Sequence, residues 1–402
     1  MDYSVAIDGW PLGVDNIQPD HAVDATALRA GVNVDVYDGG KLRMRRGFVS
    51  MLSANIHSLW SDPHDPSPST MYYSTGGIIK STNIALTATS IVSGLSPVAH
   101  VAFCQVDGDV FWSNNAVSGR IVNGVNVPWG LETPANHPVL TATIGSLEAG
   151  TYQVTVTFRN AAGEESAAQN SVSITLAATG GIALTAIPVA LDSTITQKNI
   201  YLTAQNGDVL YRAVTLAANV TTYTFNTVPA RTIALRTQDM AKMPAGSIIA
   251  HRNGQMYVAS GKFVYFSEPM RYGQYNPTKN FYAFSSDVSV MLATPDGLYV
   301  CADKSYFISK PGTDDATQEV LLPFGAASGT GVYLPNKTDV AWFSARGQVV
   351  ASGGKAEIVT EKHFAPSIMT AGASFVRELE GLRQIVNVSQ QSATNSLAYT
   401  GA

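Results

Sequence analysis

The 402-residue sequence has little charge and no long apolar segment. Charged residues make up 14% of the chain and hydrophobic residues 45%, a balance too apolar for a disordered protein. Lysine and glutamate are too scarce for a coiled coil or a protein of long helices. No apolar run approaches the ~18 residues of a membrane-spanning helix. The first residues have neither the basic nor the apolar region of a signal peptide, so we expect a protein kept in the cytosol or exported without a signal.

The sequence also lacks the excess of basic residues that is typical of general DNA-binding proteins. It has 25 Lys and Arg against 30 Asp and Glu, a net charge of −5. Proteins that hold nucleic acid through its backbone are usually basic, because they neutralise phosphates. The charge balance therefore excludes a general DNA-binding protein but leaves open the passage of DNA without tight binding.

Only two cysteines are present, Cys104 and Cys301, each in an apolar, strand-like run. Neither belongs to a CxxC motif or lies beside a histidine cluster, so they do not predict a zinc site. Two buried thiols are the simpler interpretation, because free cysteine is among the most buried residue types. A disulfide would require that the two side chains be adjacent in space, which the sequence does not show.

The residues that are abundant predict an all-β fold. Valine, threonine, serine, tyrosine and glycine dominate, a composition typical of strands and tight turns. Near the N-terminus, residues 30–37 and 41–48 alternate apolar and polar positions on either side of Asp38-Gly39-Gly40. Because aspartate and glycine tolerate the positive φ of hairpin turns, this pattern predicts a hairpin within an N-terminal arm.

Six later segments share one pattern: a short apolar strand, a turn containing glycine, and a second strand rich in aromatic residues or valine. They are residues 57–74, 101–113, 248–259, 290–300, 340–351 and 375–386. After Gly254 the turn glycines recur at intervals of roughly 35–50 residues, the size of a four-stranded propeller blade. The repetition predicts a β-propeller of about six blades.

The composition changes between about Pro134 and Pro229, where threonine, alanine, valine and serine replace most charges. We count seven strand-like runs there, the number typical of an immunoglobulin or fibronectin type III β-sandwich. The Cys…Trp…Cys pattern is absent, so a fibronectin-like sandwich inserted between the second and third blades fits better. The predicted organisation is an arm (1–50), a first propeller part (51–133), the inserted sandwich (134–229), a second propeller part (230–390) and a tail (391–402).

No motif in the sequence predicts an enzyme, a cofactor or a resident metal. Walker, HExxH, GxSxG and GxGxxG patterns are missing. His57 and His64, with Asp62 and Asp65, could in principle hold a metal, but the prolines among them favour a solvated loop. Acidic residues such as Asp107 and Asp296 lie beside turn glycines, where aspartate is common for conformational reasons. We therefore predict no catalytic, cofactor-binding or metal-ligating residues.

One local cluster of charge stands out: Lys41, Arg43, Arg45 and Arg46 in an otherwise acidic chain. Strand alternation would place Lys41, Arg43 and Arg45 on one face, opposite Leu42 and Met44. Such a face could contact an acidic partner or a phosphate backbone. The alternative is an ordinary solvated strand face.

Several segments resemble the head-to-tail nozzle proteins of short-tailed bacteriophages, also called tail tubular protein B or tail hub proteins. The resemblance lies in residues 31–35, 40–48, 264–269, 275–277 and 296–300, and it extends over the arm and the blade segments, about three quarters of the chain. These are strand and turn patterns without catalytic residues. The sandwich resembles modules that decorate phage tail proteins, and its role does not carry over.

The resemblance implies a structural virion protein of the tail, assembled in the host cytoplasm. It implies a homo-hexameric ring below the portal and adaptor, with tail fibres or spikes as further partners, through which genome DNA passes during ejection without sequence-specific binding. An acidic chain suits such a conduit, since a wall that bound phosphate would slow transit. The alternative is a carbohydrate-binding or carbohydrate-degrading tail propeller, a receptor-binding protein.

Overall fold

The computed structural model describes residues 9–37, 40–44, 55–63, 65, 69–336, 338–364, 366, 369–379 and 382–390. Arg45, Arg46 and His64 lie outside these residues. The described part is all-β: it contains strands and one short 3-10 helix, with no α-helix among these residues. Its chain divides into two compact units. One comprises Met1–Val98, Gly261–Phe263 and Ala283–Ala402, and the other comprises Ala99–Ser260 and Val264–Tyr282.

The N-terminal part of the first unit contains a hairpin and a four-stranded antiparallel sheet. The hairpin is where the sequence predicted one, with Val34 opposite Met44 and Tyr37 opposite Lys41. The four-stranded sheet has the order β3-β4-β5-β6, a simple meander. The elements are the 3-10 helix Asp20–Ala22, β1 (Val34–Tyr37), β2 (Lys41–Met44), β3 (Ile56–Trp60), β4 (Met71–Thr75), β5 (Ile78–Thr82) and β6 (Ala88–Val92).

The second unit begins with a four-stranded meander of order β10-β9-β8-β7. Its strands are β7 (Ala102–Val106), β8 (Asp109–Ser113), β9 (Ser118–Val122) and β10 (Val125–Pro128). The turn between β7 and β8 has Asp107 at φ 51° and Gly108 at φ 88°. Two consecutive positive φ angles match the twist of a tight hairpin, which explains the Asp-Gly pair at this position.

Seven strands in the middle of the second unit form two sheets that share one core. The sheets have the orders β11-β14-β17 and β13-β12-β15-β16. Leu147, Ile182 and Phe225 of the smaller sheet pack in the same buried cluster as Val154 and Ile200 of the larger. The strands are β11 (Val139–Leu147), β12 (Gly150–Asn160), β13 (Val172–Leu176), β14 (Gly180–Thr185), β15 (Ile195–Thr203), β16 (Leu210–Ala217) and β17 (Tyr223–Phe225).

The second unit ends with another four-stranded meander, of order β19-β20-β21-β23, and a short two-stranded pair, β18-β22. Met256 and Val258 of this meander share a buried cluster with Val106 and Phe111 of the β7–β10 sheet. The two meanders therefore pack on one another. The strands are β18 (Ala241–Lys242), β19 (Ile248–Arg252), β20 (Gln255–Ser260), β21 (Phe263–Phe266), β22 (Gln274–Tyr275) and β23 (Phe281–Ala283).

The first unit resumes with two further meanders and a long hairpin. The meanders have the orders β24-β25-β26-β27 and β28-β29-β30-β31, and the hairpin is β32-β33. Tyr299 and Cys301 of one meander share a core with Trp342 and Val349 of the other. The strands are β24 (Val290–Ala293), β25 (Gly297–Cys301), β26 (Ser305–Ser309), β27 (Thr317–Leu322), β28 (Val332–Tyr333), β29 (Val340–Ser344), β30 (Gly347–Ser352), β31 (Lys355–Ile358), β32 (Ala371–Leu379) and β33 (Leu382–Gln390).

Five of the six repeated sequence segments thus lie in four-stranded sheets, and the sixth, residues 375–386, lies in the two-stranded hairpin β32-β33. Both cysteines are free: Cys301 is buried, as predicted, whereas Cys104 is only half-buried. Within the residues that are described, no helix is long and apolar enough to cross a bilayer.

Candidate functional site

The basic cluster lies on strand β2 as far as the structure describes it. Lys41 is exposed and Arg43 is half-buried, while Met44 is 76% exposed. Arg43 stands opposite Asp35 in the β1-β2 register. Asp35 is buried and its Oδ2 lies 2.8 Å from Nη2 of Arg377, so this carboxylate forms an ion pair with an arginine of β32.

The other residues considered from the sequence take structural roles. His57 bonds through Nδ1 to Ser58 Oγ (2.9 Å) and through Nε2 to the Pro97 carbonyl (3.0 Å). Among the aromatic side chains of residues 257–284, Tyr257 is fully buried and Phe266 and Phe284 are nearly so, whereas Phe263 and Phe281 are 39% and 37% exposed. Within the described ranges, no group of three or more His, Cys, Asp and Glu side chains could hold a metal ion.

A cleft of about 390 Å³ lies within the second unit. One wall comes from the meanders and includes Arg120 of β9 and the segment 270–274. The other wall comes from the two-sheet part and includes Glu164, Glu165 and the segment 233–237. A volume of this size lies within the range of small-molecule sites in proteins.

A close approach of two backbones shapes the floor of the cleft. Gly130 adopts φ +78°, and a Cβ built on it would lie 2.5 Å from the Gly273 carbonyl oxygen. Trp129, which is 1% exposed, donates its indole N–H to the Tyr272 carbonyl at 2.8 Å. Its ring also packs edge-on against Phe111, with centroids 5.2 Å apart. Because Trp129 is enclosed, it supports the cleft and offers no open face for stacking.

Glu165 holds the two-sheet wall together. Its Oε1 accepts hydrogen bonds from Tyr201 OH (2.7 Å), from Asn199 Nδ2 (2.9 Å) and from the Thr157 hydroxyl. Burial, together with the hydrogen bond to this carboxylate, raises the pKa of Tyr201. Tyr201 therefore remains protonated at neutral pH and can donate to Glu165.

Arg120 bridges the two walls through its charge. Its Nη1 lies 3.1 Å from Glu164 Oε1, its Nε lies 3.7 Å from Asp109 Oδ2, and its guanidinium lies 5.9 Å from the Phe111 ring centroid. Glu164 also accepts a hydrogen bond from Asn160 Nδ2 at 2.6 Å. The charges of Arg120 and Glu164 are thus largely satisfied within the protein.

Two further arginines reach the cleft without such partners. Arg236 and Arg271 line it, and neither guanidinium forms a hydrogen bond or ion pair with any residue that the structure describes. Sequence reasoning missed this site because its residues come from segments up to 160 positions apart and carry no motif.

Comparison with known proteins does not assign this chain to a family. No protein-family description matches it, and no curated protein matches it. Among solved structures, it resembles the Mitotic Checkpoint Complex (9% identity, 77% of this chain, 80% of the other, TM-score 0.33). It also resembles a KlHsv2 structure with loop 6CD replaced by a Gly-Ser linker (9% identity, 84% of this chain, 90% of the other, TM-score 0.32). A third similar structure is Citrobacter koseri AztD (11% identity, 75% of this chain, 84% of the other, TM-score 0.27). TM-scores below 0.5 do not establish a common fold, and none of the three is a phage tail protein.

Proposed function

We propose that this protein is a structural component of a phage tail, a non-enzymatic nozzle or hub subunit that assembles as a ring below the portal and adaptor. The observation that carries the proposal is the resemblance of segments 31–35, 40–48, 264–269, 275–277 and 296–300 to nozzle proteins. Where described, these segments contribute to β1, β2, β21, β22 and β25, so the resemblance concerns scaffold elements rather than a reactive site.

The fold that we infer with this function is a propeller of about six blades. Its support is the recurrence of four-stranded meanders that pack in pairs through shared apolar cores. A closed propeller also requires that the two ends of the chain meet. In the first unit, Asn16 N–H donates to the His363 carbonyl at 3.0 Å, and Asp35 pairs with Arg377.

We further infer that the seven-stranded part is an immunoglobulin- or fibronectin-like sandwich inserted between two blades. The central pairs β11-β14 and β12-β15 lie in separate sheets, as the corresponding pairs of such sandwiches do. The chain on either side of it is held together: Ser113 Oγ donates to the Gly246 carbonyl (2.7 Å) and accepts from its N–H (2.8 Å). An insertion requires that its two flanking segments lie close.

The test is electron microscopy of the purified protein, alone and mixed with its portal–adaptor complex. We expect sixfold rings that dock coaxially on the adaptor. A monomer that does not bind the adaptor would contradict the proposal and favour the receptor-binding alternative. A glycan array with the same preparation would then decide whether that alternative holds.

A further inference from the structure

The charge balance of the cleft in the second unit is not neutral once internal pairs are counted. Five acidic or basic side chains line it: Arg120, Arg236, Arg271, Glu164 and Glu165. Arg120 pairs with Glu164, and Glu165 is held by three donors. Three arginines and two glutamates give the lining a net charge of +1 (3 − 2), and the guanidinium groups of Arg236 and Arg271 form no ion pair with the residues that the structure describes.

Guanidinium groups are planar, remain charged at all physiological pH values, and bind carboxylate or phosphate with paired hydrogen bonds. The surrounding walls include the apolar side chains of Leu131, Ile233 and Met270. Ile233 is 40% exposed and Met270 is 71% exposed, so these side chains are accessible to a bound molecule. The cleft therefore combines a cationic rim with a partly apolar wall.

The volume limits the size of the ligand. At ~30 Å³ per water molecule in the liquid, 390 Å³ corresponds to about 13 waters. This space accommodates a molecule of one or two sugar rings.

We infer that this cleft binds a small oxyanionic ligand, a carboxylated or phosphorylated molecule about the size of one or two sugar rings, through Arg236 and Arg271. A carboxylate and a phosphate both accept paired hydrogen bonds from guanidinium groups, so the cleft could bind either. Titration with one probe of each kind separates the two. This binding site does not depend on the proposed tail function, because it rests on the geometry of the second unit alone.

The experiment is isothermal titration of the full-length protein with glucuronate, with glucose 6-phosphate and with glucose as the neutral control. We expect binding of at least one acidic sugar with a Kd of about 1 mM or tighter, and weaker binding as the salt concentration rises. The neutral sugar should bind at least about tenfold more weakly, because it cannot form charge-assisted hydrogen bonds.

Variants then locate the site. Arg236→Gln and Arg271→Gln should each weaken binding of the acidic sugar about tenfold or more, since each removes one cationic partner. Arg231→Gln, an exposed residue of the same unit outside the cleft, is the matched control and should bind as the unaltered protein does. Neither guanidinium has a partner among the residues that the structure describes, so both variants should unfold at the temperature of the parent protein.

Three results would overturn the inference. The first is no binding of either acidic sugar at about 10 mM, roughly ten times the expected Kd. The second is equal binding of glucose and the acidic sugars. The third is unchanged affinity in both cleft variants. None of these results bears on ring assembly, so they leave the proposed tail function to its own test.

Discussion

At the scale of single residues, two buried serines in similar strands differ in what their hydroxyls do. Ser113 Oγ makes two hydrogen bonds to the backbone of Gly246, whereas Ser74 Oγ is enclosed without a partner among the described residues. Ser113→Ala should lower the free energy of unfolding by about 1–3 kcal/mol, and Ser74→Ala should change it by less than about 0.5 kcal/mol. Urea titrations of the two variants measure the difference. An equal loss in both would contradict the hydrogen-bond assignment.

Lys198 is a buried lysine that has no carboxylate partner among the residues that the structure describes. Its Nζ donates to the Pro188 and Val220 carbonyls at 2.5 and 2.8 Å, and burial lowers its pKa to about 8 from 10.5. Below pH 8 both the folded and unfolded states hold the proton. Between pH 8 and 10.5 only the unfolded state holds it, so the contribution of Lys198 to stability rises with pH, by about 3 kcal/mol over the whole window.

We predict that Lys198→Met removes this increase of the free energy of unfolding with pH. Unfolding by urea, followed at intervals from pH 7 to pH 10, should show a steeper increase in stability for the parent protein than for the variant. Measurements stop at pH 10, because the raised pKa of buried Tyr201 makes stability fall once unfolded tyrosines ionise. Lys262→Met, at an exposed position, is the control and should keep the parent slope. Parallel curves for the parent and Lys198→Met would refute the assignment.

At the scale of elements, the hairpins β1-β2 and β32-β33 are joined by one buried ion pair. Asp35 is 3% exposed and Arg377 is 22% exposed, and Arg377 Nε also donates to Gln384 Oε1 at 3.1 Å. Arg377→Met removes one cationic partner of the buried Asp35 carboxylate, so this variant should destabilise the β1-β2 hairpin, by at most about 3–5 kcal/mol. Amide hydrogen exchange of residues 34–37 and 41–44 reports this loss directly.

The β32-β33 hairpin offers a matched control for the Arg377→Met prediction. Arg383 and Glu378 pair at 3.2 Å but are 65% and 53% exposed. Arg383→Met should change the exchange of β1-β2 very little, because exposed pairs contribute at most about 1 kcal/mol. A double variant, Asp35→Leu with Arg377→Met, should recover much of the lost protection, since no buried charge is then left unpaired. If the double variant does not recover protection, the Asp35–Arg377 pair stabilises the hairpin by more than charge compensation.

Local patterns predicted the elements of this protein better than they predicted its site. The all-β class and the β1-β2 hairpin followed from alternation and turn residues, which act over a few positions, and both are confirmed. Asp107 and Gly108 take the left-handed turn conformation that their identity favours. The cleft was missed because Arg236, Arg271 and Glu164 line one cleft only through tertiary packing, and no spacing rule connects residues so far apart. The sixth repeated segment lies in a two-stranded sheet, whereas the other five lie in four-stranded sheets. The repeat pattern could not show this difference.

At the scale of the whole molecule, net charge bears on the proposed passage of DNA without tight binding. The chain carries −5, and six copies would carry about −30 (6 × −5), so the mean field of a ring repels phosphate. Lys41 and Arg43 form a local exception, and Arg43 stands opposite the buried carboxylate of Asp35. A conduit for DNA must allow the duplex to slide, and tight phosphate contacts would oppose that motion.

We therefore predict that the assembled protein does not retain double-stranded DNA in a gel-shift assay at about 0.1 M salt, where the Debye length is ~10 Å and exposed charges still act over several ångströms. Any residual association should have a Kd weaker than about 0.1 mM, because few phosphates would be neutralised. Lys41→Glu should leave this result unchanged if the bulk charge governs it. Micromolar binding that falls with rising salt and disappears in Lys41→Glu would instead make the β2 basic face a DNA contact. That result would contradict the passage of DNA without tight binding and would favour a ring that binds DNA.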